Sequence, residues 1–105
     1  MPNIHQNTQT FRATKAWGAR PLAEIDGVTV RLHWTDQPYR WHVNDGVEAF
    51  IVLHGEVEMR WRADGTEQQV LLQSTDVFIA SEGDEHCASP RGEARILVVE
   101  RAGSV

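Results

Sequence analysis

The sequence predicts an all-β fold, a sandwich or barrel of short antiparallel strands, and three observations predict it. Apolar and polar residues alternate with a period of two in several segments, as in a strand with one covered and one wet face. Turn-forming residues recur about every ten positions, at Asp26-Gly27, Asp36–Pro38, Asp45-Gly46, Gly55, Asp64-Gly65, Gly83-Asp84 and Pro90–Gly92. That spacing is typical of sandwiches and barrels. No long amphipathic helical segment lies between the breakers, which disfavours a parallel α/β sheet. At 105 residues the chain is sized for one domain.

The elements follow in order. Residues 1–20 read as an N-terminal arm and 21–105 as the barrel domain. Met1–Thr10 is polar and expected to be loosely held. Phe11–Gly18 suits either one helical turn or an extended arm. Val28, Val30, Leu32 and Trp34 alternate with Thr29, Arg31 and His33, a strand. Glu48–His54 is apolar on both faces, so it belongs in a central strand covered on both sides. Val57, Met59 and Trp61 alternate with Glu56, Glu58, Arg60 and Arg62, and Asp64-Gly65 then suits a tight hairpin. Further strands are expected at Gln68–Leu72, Val77–Ala80, His86–Ser89 and Arg95–Glu100.

Composition narrows the function classes. Ten basic against fifteen acidic residues leave a net charge of -5. Such a chain has no general pull on phosphate backbones or anionic lipid, so neither nucleic acid nor a membrane is an expected partner. Apolar runs stay far below the ~20 residues a spanning helix needs. No basic-then-apolar leader opens the chain, and the lone Cys87 can form neither an internal disulfide nor a paired-cysteine zinc site. A reduced, cytoplasmic setting is the expectation. Any transition-metal site must draw on His, Asp, Glu and Asn, and there are five histidines.

Candidate ligands lie in two segments. His42 and Asn44 are two apart and share a face if their segment is a strand. The turn at Asp45-Gly46 returns the chain so that Glu48 starts the next strand facing them. Glu48, Phe50 and Val52 then share a face, the interior one if Glu48 is a ligand. His86 would reach the same place from a strand across the barrel.

On these residues the chain resembles the cupin superfamily, in particular its small single-domain members. The first cupin motif is Gly, five residues, His-x-His, three or four residues, Glu, six residues, Gly; His42, Glu48 and Gly55 fill its first His, its Glu and its closing Gly at the right spacing. The second is Gly, five residues, Pro-x-Gly, two residues, His, three residues, Asn; Gly83 and His86 fill its second Gly and its His. Trp41, Phe50, Val52-Leu53 and Asp76–Ile79 add softer likeness. Asp36, Thr75, Ser81 and Pro90 depart from the motifs at turn positions, and Asn44 replaces the second His, a metal-ligand place. The resemblance covers about residues 25–101. It implies a jelly-roll barrel of two packed antiparallel sheets, a homodimer, and a divalent-metal site (Fe, Mn, Zn or Ni) formed by His42, Glu48 and His86 with Asn44 as a weak carbonyl donor. Two His and one carboxylate form the facial triad of non-haem iron sites, and could equally hold zinc with one open position.

Tyr39, Trp41, Phe50, Val52 and Phe78 are the expected substrate-pocket residues; Trp34 and Trp61 could join them or serve core or dimer packing. His33 is expected on a wet face, His54 in packing or capping, and His5 in the loose arm. Cys87 alternates away from His86 and should point outside the lumen. Arg31, Arg40, Arg60, Arg62 and Arg95 read as solvated strand residues, any one of which could clamp an anionic substrate. The leading function is a metal-dependent small-molecule enzyme of dioxygenase or isomerase type. The alternatives are a non-catalytic binder of a sugar-like or acidic metabolite with a degenerate metal site, and a barrel used for protein interaction.

Overall fold

The computed structural model describes residues 1–104 and is almost entirely β. After a 3-10 turn at Thr8–Thr10 come seven strands: β1 (Gly18–Ile25), β2 (Val28–Thr35), β3 (His42–Val43), β4 (Glu48–Ala63), β5 (Thr66–Leu72), β6 (Val77–Ala80) and β7 (Glu85–Arg101). All pair antiparallel. Two hairpins have the two-residue turns their sequences suggest. Asp26-Gly27 and Asp64-Gly65 both take positive φ at each position, the type I′ geometry that matches strand twist.

The long strands β4 and β7 create the two layers. The first half of β4 (Glu48–Val52) pairs with the last part of β7 (Ile96–Glu100), in a sheet ordered β1-β2-β7-β4-β6. The second half of β4 pairs with the first part of β7 in a sheet ordered β3-β7-β4-β5. The register shifts on either side of His54 mark where the strands bend from one sheet into the other. The sheets pack face to face without closing by hydrogen bonds, a jelly roll as the resemblance implies.

Two breakers therefore act differently from expectation. Gly55 and Pro90–Gly92 do not end strands; β4 and β7 run through them and bend. Gly55 has φ +89°, and a Cβ there would run into the Glu93 carbonyl and Ala94, so close approach of two backbones requires glycine.

The core lies between the layers: Phe50, Val52, Val57, Met59, Leu72, Ala88, Ala94, Ile96 and Val98. Strand β2 corrects a sequence expectation. Cross-strand partners share a face, and His33 opposes Ile96 while Arg31 opposes Val98, both core residues. Thr29, Arg31 and His33 therefore point inward, and His33 is not on a wet face. The apolar stripe of β2 is the outer one. Leu32 and Trp34 are still buried there, because the N-terminal segment covers that side. Arg95 donates to the Phe11 carbonyl at 2.8 Å, Arg20 stacks on the Phe11 ring, and Arg12 lies over Trp34. Among the described residues no helix is long and apolar enough to cross a membrane.

Candidate metal centre

Three strands deliver the three candidate ligands. His42 in β3 stands directly opposite His86 in β7, and their ring centroids are 4.3 Å apart. Glu48 opens β4 beside Glu100 of β7, on the same inward face as Phe50 and Val52. One donor atom each from His42, Glu48 and His86 lies within 4.8 Å of the others. Donors at about 2.1 Å from one ion in a facial or tetrahedral arrangement are roughly 3 to 3.4 Å apart, so up to about 1.8 Å of closing would bring all three onto a cation.

Asn44 is the fourth member. It is buried, and its Oδ1 lies 2.6 Å from His86 Nε2 while its Nδ2 donates to the Gly46 carbonyl at 3.1 Å. The Gly46 contact fixes which end of the amide faces the histidine. Nδ1–H of His42 donates to the Arg40 carbonyl at 3.1 Å, which leaves Nε2 with the lone pair, as a metal-binding imidazole requires.

Burial sets the protonation. The Glu48 carboxyl is pushed up to about 8, first by loss of water, then by the hydrogen bond and negative charge of Glu100 and by Asp45. His86 is pushed down to about 4, again first by burial, then by His42. At pH 7 both are neutral, so their 3.5 Å approach is not an ion pair. Glu48 Oε1 and His86 Nδ1 are buried with no hydrogen-bond partner. A cation fits this deficit. It would give Glu48 Oε1 a partner and take the place of the carboxyl proton, while ligation by His86 Nε2 would move the ring hydrogen to Nδ1, which has no acceptor in the protein.

The cluster opens into a cavity of about 190 Å³. Tyr39 and Phe50 line it, as expected, and so does Arg31, one of the arginines weighed as an anion clamp; Trp17, His33 and Glu100 also line it and were not expected there. Trp17 sits in the left-handed region at φ +62°, unusual for a bulky residue. Its carbonyl accepts from His33 Nδ1 at 2.8 Å and its indole N–H donates to the Gln37 carbonyl at 2.9 Å. Its ring meets Tyr39 edge-on at 5.3 Å. Burial lowers the His33 pKa, opposed by that bond to Trp17. Nothing in the polarity of β2 marked Arg31 and His33 as inward, because both faces of the strand are covered, and nothing local marked Trp17.

The other expected pocket residues lie outside the cavity lining. Trp41 sits under the guanidinium groups of Arg60 and Arg62 on the outer side, at 5.5 and 3.8 Å. Val52 is fully within the core, and Phe78 packs behind His86 and against Trp61. Trp34 donates to Glu93 on the outer face. His54 contacts Arg95 at 3.3 Å and His5 is exposed, both away from the cluster. Cys87 does point outward, opposite Arg60, but is buried there; its thiol donates to the Tyr39 carbonyl.

Fold and cluster together define a cupin-type barrel with a candidate metal centre. Solved structures agree at the level of the fold. A cupin-2 domain containing protein from Shewanella frigidimarina is similar with a TM-score of 0.80 at 25% identity, over 93% of each chain. A cupin superfamily protein from Desulfitobacterium hafniense has a TM-score of 0.77 at 16% identity, over 96% of this chain and 92% of that one. Hydroxypropylphosphonic acid epoxidase from S. wedmorenis has a TM-score of 0.68 at 17% identity, over 78% of this chain. The aligned part is only 49% of the epoxidase, which has also been solved with Fe(II). No family model matches the sequence, and no curated protein matches it.

Proposed function

We propose that this protein is a metal-dependent barrel acting on a small molecule, with His42, Glu48 and His86 as ligands of a divalent ion and Asn44 as a weak fourth donor. The observation that carries this reading is the convergence of three donors at a cavity wall with buried Glu48 Oε1 left unpartnered. Fe, Mn, Zn and Ni all suit two imidazoles and a carboxylate. The fold likeness to an epoxidase solved with Fe(II) is in keeping with it. Such an ion, when bound, supplies Lewis acidity and open coordination positions for a substrate or dioxygen. The chain's own part is to hold it: Arg40 orients His42, Gly46 orients Asn44, and Trp17, Tyr39 and Phe50 shield the cavity from water. The working form is a cytoplasmic homodimer.

Elemental analysis of protein purified without chelator tests this. Stoichiometric metal that is lost in His42→Ala is the expected result. Its absence from every preparation, and failure of added Fe(II), Mn(II), Zn(II) and Ni(II) to bind, would overturn it. The second reading, a non-catalytic binder with a degenerate site, is favoured by one observation: Asn44 already satisfies His86 Nε2 without an ion.

A further inference from the structure

Nine of the ten basic residues are arginine, and eight of the nine have evident work. Arg60, Arg62, Arg91 and Arg101 face carboxylates of Glu58, Glu67, Glu85 or Asp45 within 4.0 Å. Arg95 holds Phe11, Arg12 lies over Trp34, Arg20 stacks on Phe11 and Arg40 stacks on Tyr39. Arg31 differs. Among the described residues it makes no ion pair, no hydrogen bond and no stacking contact, yet it is half-buried and lines the cavity that holds the metal cluster. Its guanidinium has no acceptor within the fold and is free to take acceptors from a molecule that enters the cavity.

The rest of the cavity indicates what supplies them. The cavity wall is aromatic at Trp17, Tyr39 and Phe50, and it also carries His33 and the Glu100 carboxylate. A cavity of about 150 Å³ accommodates benzene, and this one is about 190 Å³, enough for one six-membered ring with a small anionic substituent. Guanidinium binds carboxylate through two parallel hydrogen bonds.

We infer that Arg31 is the specificity-determining residue of the cavity and that the ligand is a small ring-bearing carboxylate. Its anionic group pairs with Arg31, and its ring lies among Trp17, Tyr39 and Phe50 with the opposite edge toward His42, Glu48 and His86. The inference rests on the cavity being the functional site, but not on a metal being bound. Of the arginines that could clamp an anion, only this one is both unpaired and inside.

Titration calorimetry with 2-hydroxybenzoate and its neutral isostere 2-hydroxybenzamide tests it, on chelator-treated and on Zn(II)-loaded protein. The wild type should bind the carboxylate at least tenfold more tightly than the amide in both forms. Arg31→Met should remove that preference, leave amide affinity within twofold, and keep the wild-type melting temperature, since no hydrogen bond or ion pair of the fold is lost with the guanidinium. A preference that survives in Arg31→Met overturns the inference. So does a preference seen only with Zn(II), which would put the anion on the metal. Failure of both compounds to bind also overturns it, while the metal analysis above would stand unaffected.

Discussion

At the scale of the residue, the centre is governed by loss of water. Glu48 and His86 lose their charges for the same reason and in opposite directions, so the metal-free site is electrically quiet at neutral pH. The consequence for stability has a definite sign. The Glu48 carboxyl has an ordinary value of 4.5 and a folded value of about 8. Between those values the unfolded chain gives up a proton that the folded protein keeps, so stability falls as pH rises. His86 is lowered from 6.5 to about 4, so its contribution is lost as pH falls through that range. In chelated protein, Glu48→Gln should match the wild type in stability near pH 4 and gain on it toward pH 8, by up to about 1.4 kcal/mol per pH unit. Urea melts at a series of pH values read this out; equal stability at pH 8 would show that Glu48 ionises freely. Strand parity spoke only to neighbours such as Glu48 and Phe50; the set His42, Glu48 and His86 was legible because their spacing resembles the cupin motifs. Trp17 was not, since its role comes from a left-handed backbone and a loop carbonyl that no local pattern announces.

At the scale of the element, β4 and β7 are each two strands in one. The halves of β4 were visible on either side of Gly55, the first as a run apolar on both faces and the second by alternation, the Asp64-Gly65 hairpin was readable from turn chemistry, and Asp26-Gly27 was marked as a breaker. What could not be read was that a glycine between two apolar runs bends a strand instead of ending it; that depends on the Glu93 and Ala94 backbone pressing from β7. The inward face of β2 was hidden for a related reason. When both faces of a strand are covered, polarity no longer tells inside from outside, and here the N-terminal segment covers the apolar side. Gly55→Ala should therefore cost at least about 2 kcal/mol, combining positive φ with a backbone clash. Gly92→Ala, with positive φ but open space around it, should cost only about 1 kcal/mol. Thermal melts of the two variants compare them directly; equal losses would mean that the contact at Gly55 relaxes freely.

At the scale of the whole molecule, the outer face of the β1-β2-β7-β4-β6 sheet is apolar where nothing covers it. Val77 and Ile79 of β6 are each 55% exposed and stand beside Ile51 and Ala49 of β4. Ile51 is itself only half-buried, and β6 extends the same patch. A second copy is the proposed cover. Sedimentation should show a dimer for the wild type and a monomer for Ile79→Glu with an unchanged circular dichroism spectrum; a monomeric wild type would refute the dimer.

The position of β7 also sets an order of events. It is the shared neighbour of β2, β3 and β4, and it carries His86 at one end and Glu100 at the other. Nearly every pairing that closes the barrel thus joins distant parts of the chain, a topology that folds in about milliseconds to seconds. The candidate ligands come together only when the seventh strand docks, because His86 lies on it and pairs there with His42. An ion held as proposed would therefore be captured by the folded barrel.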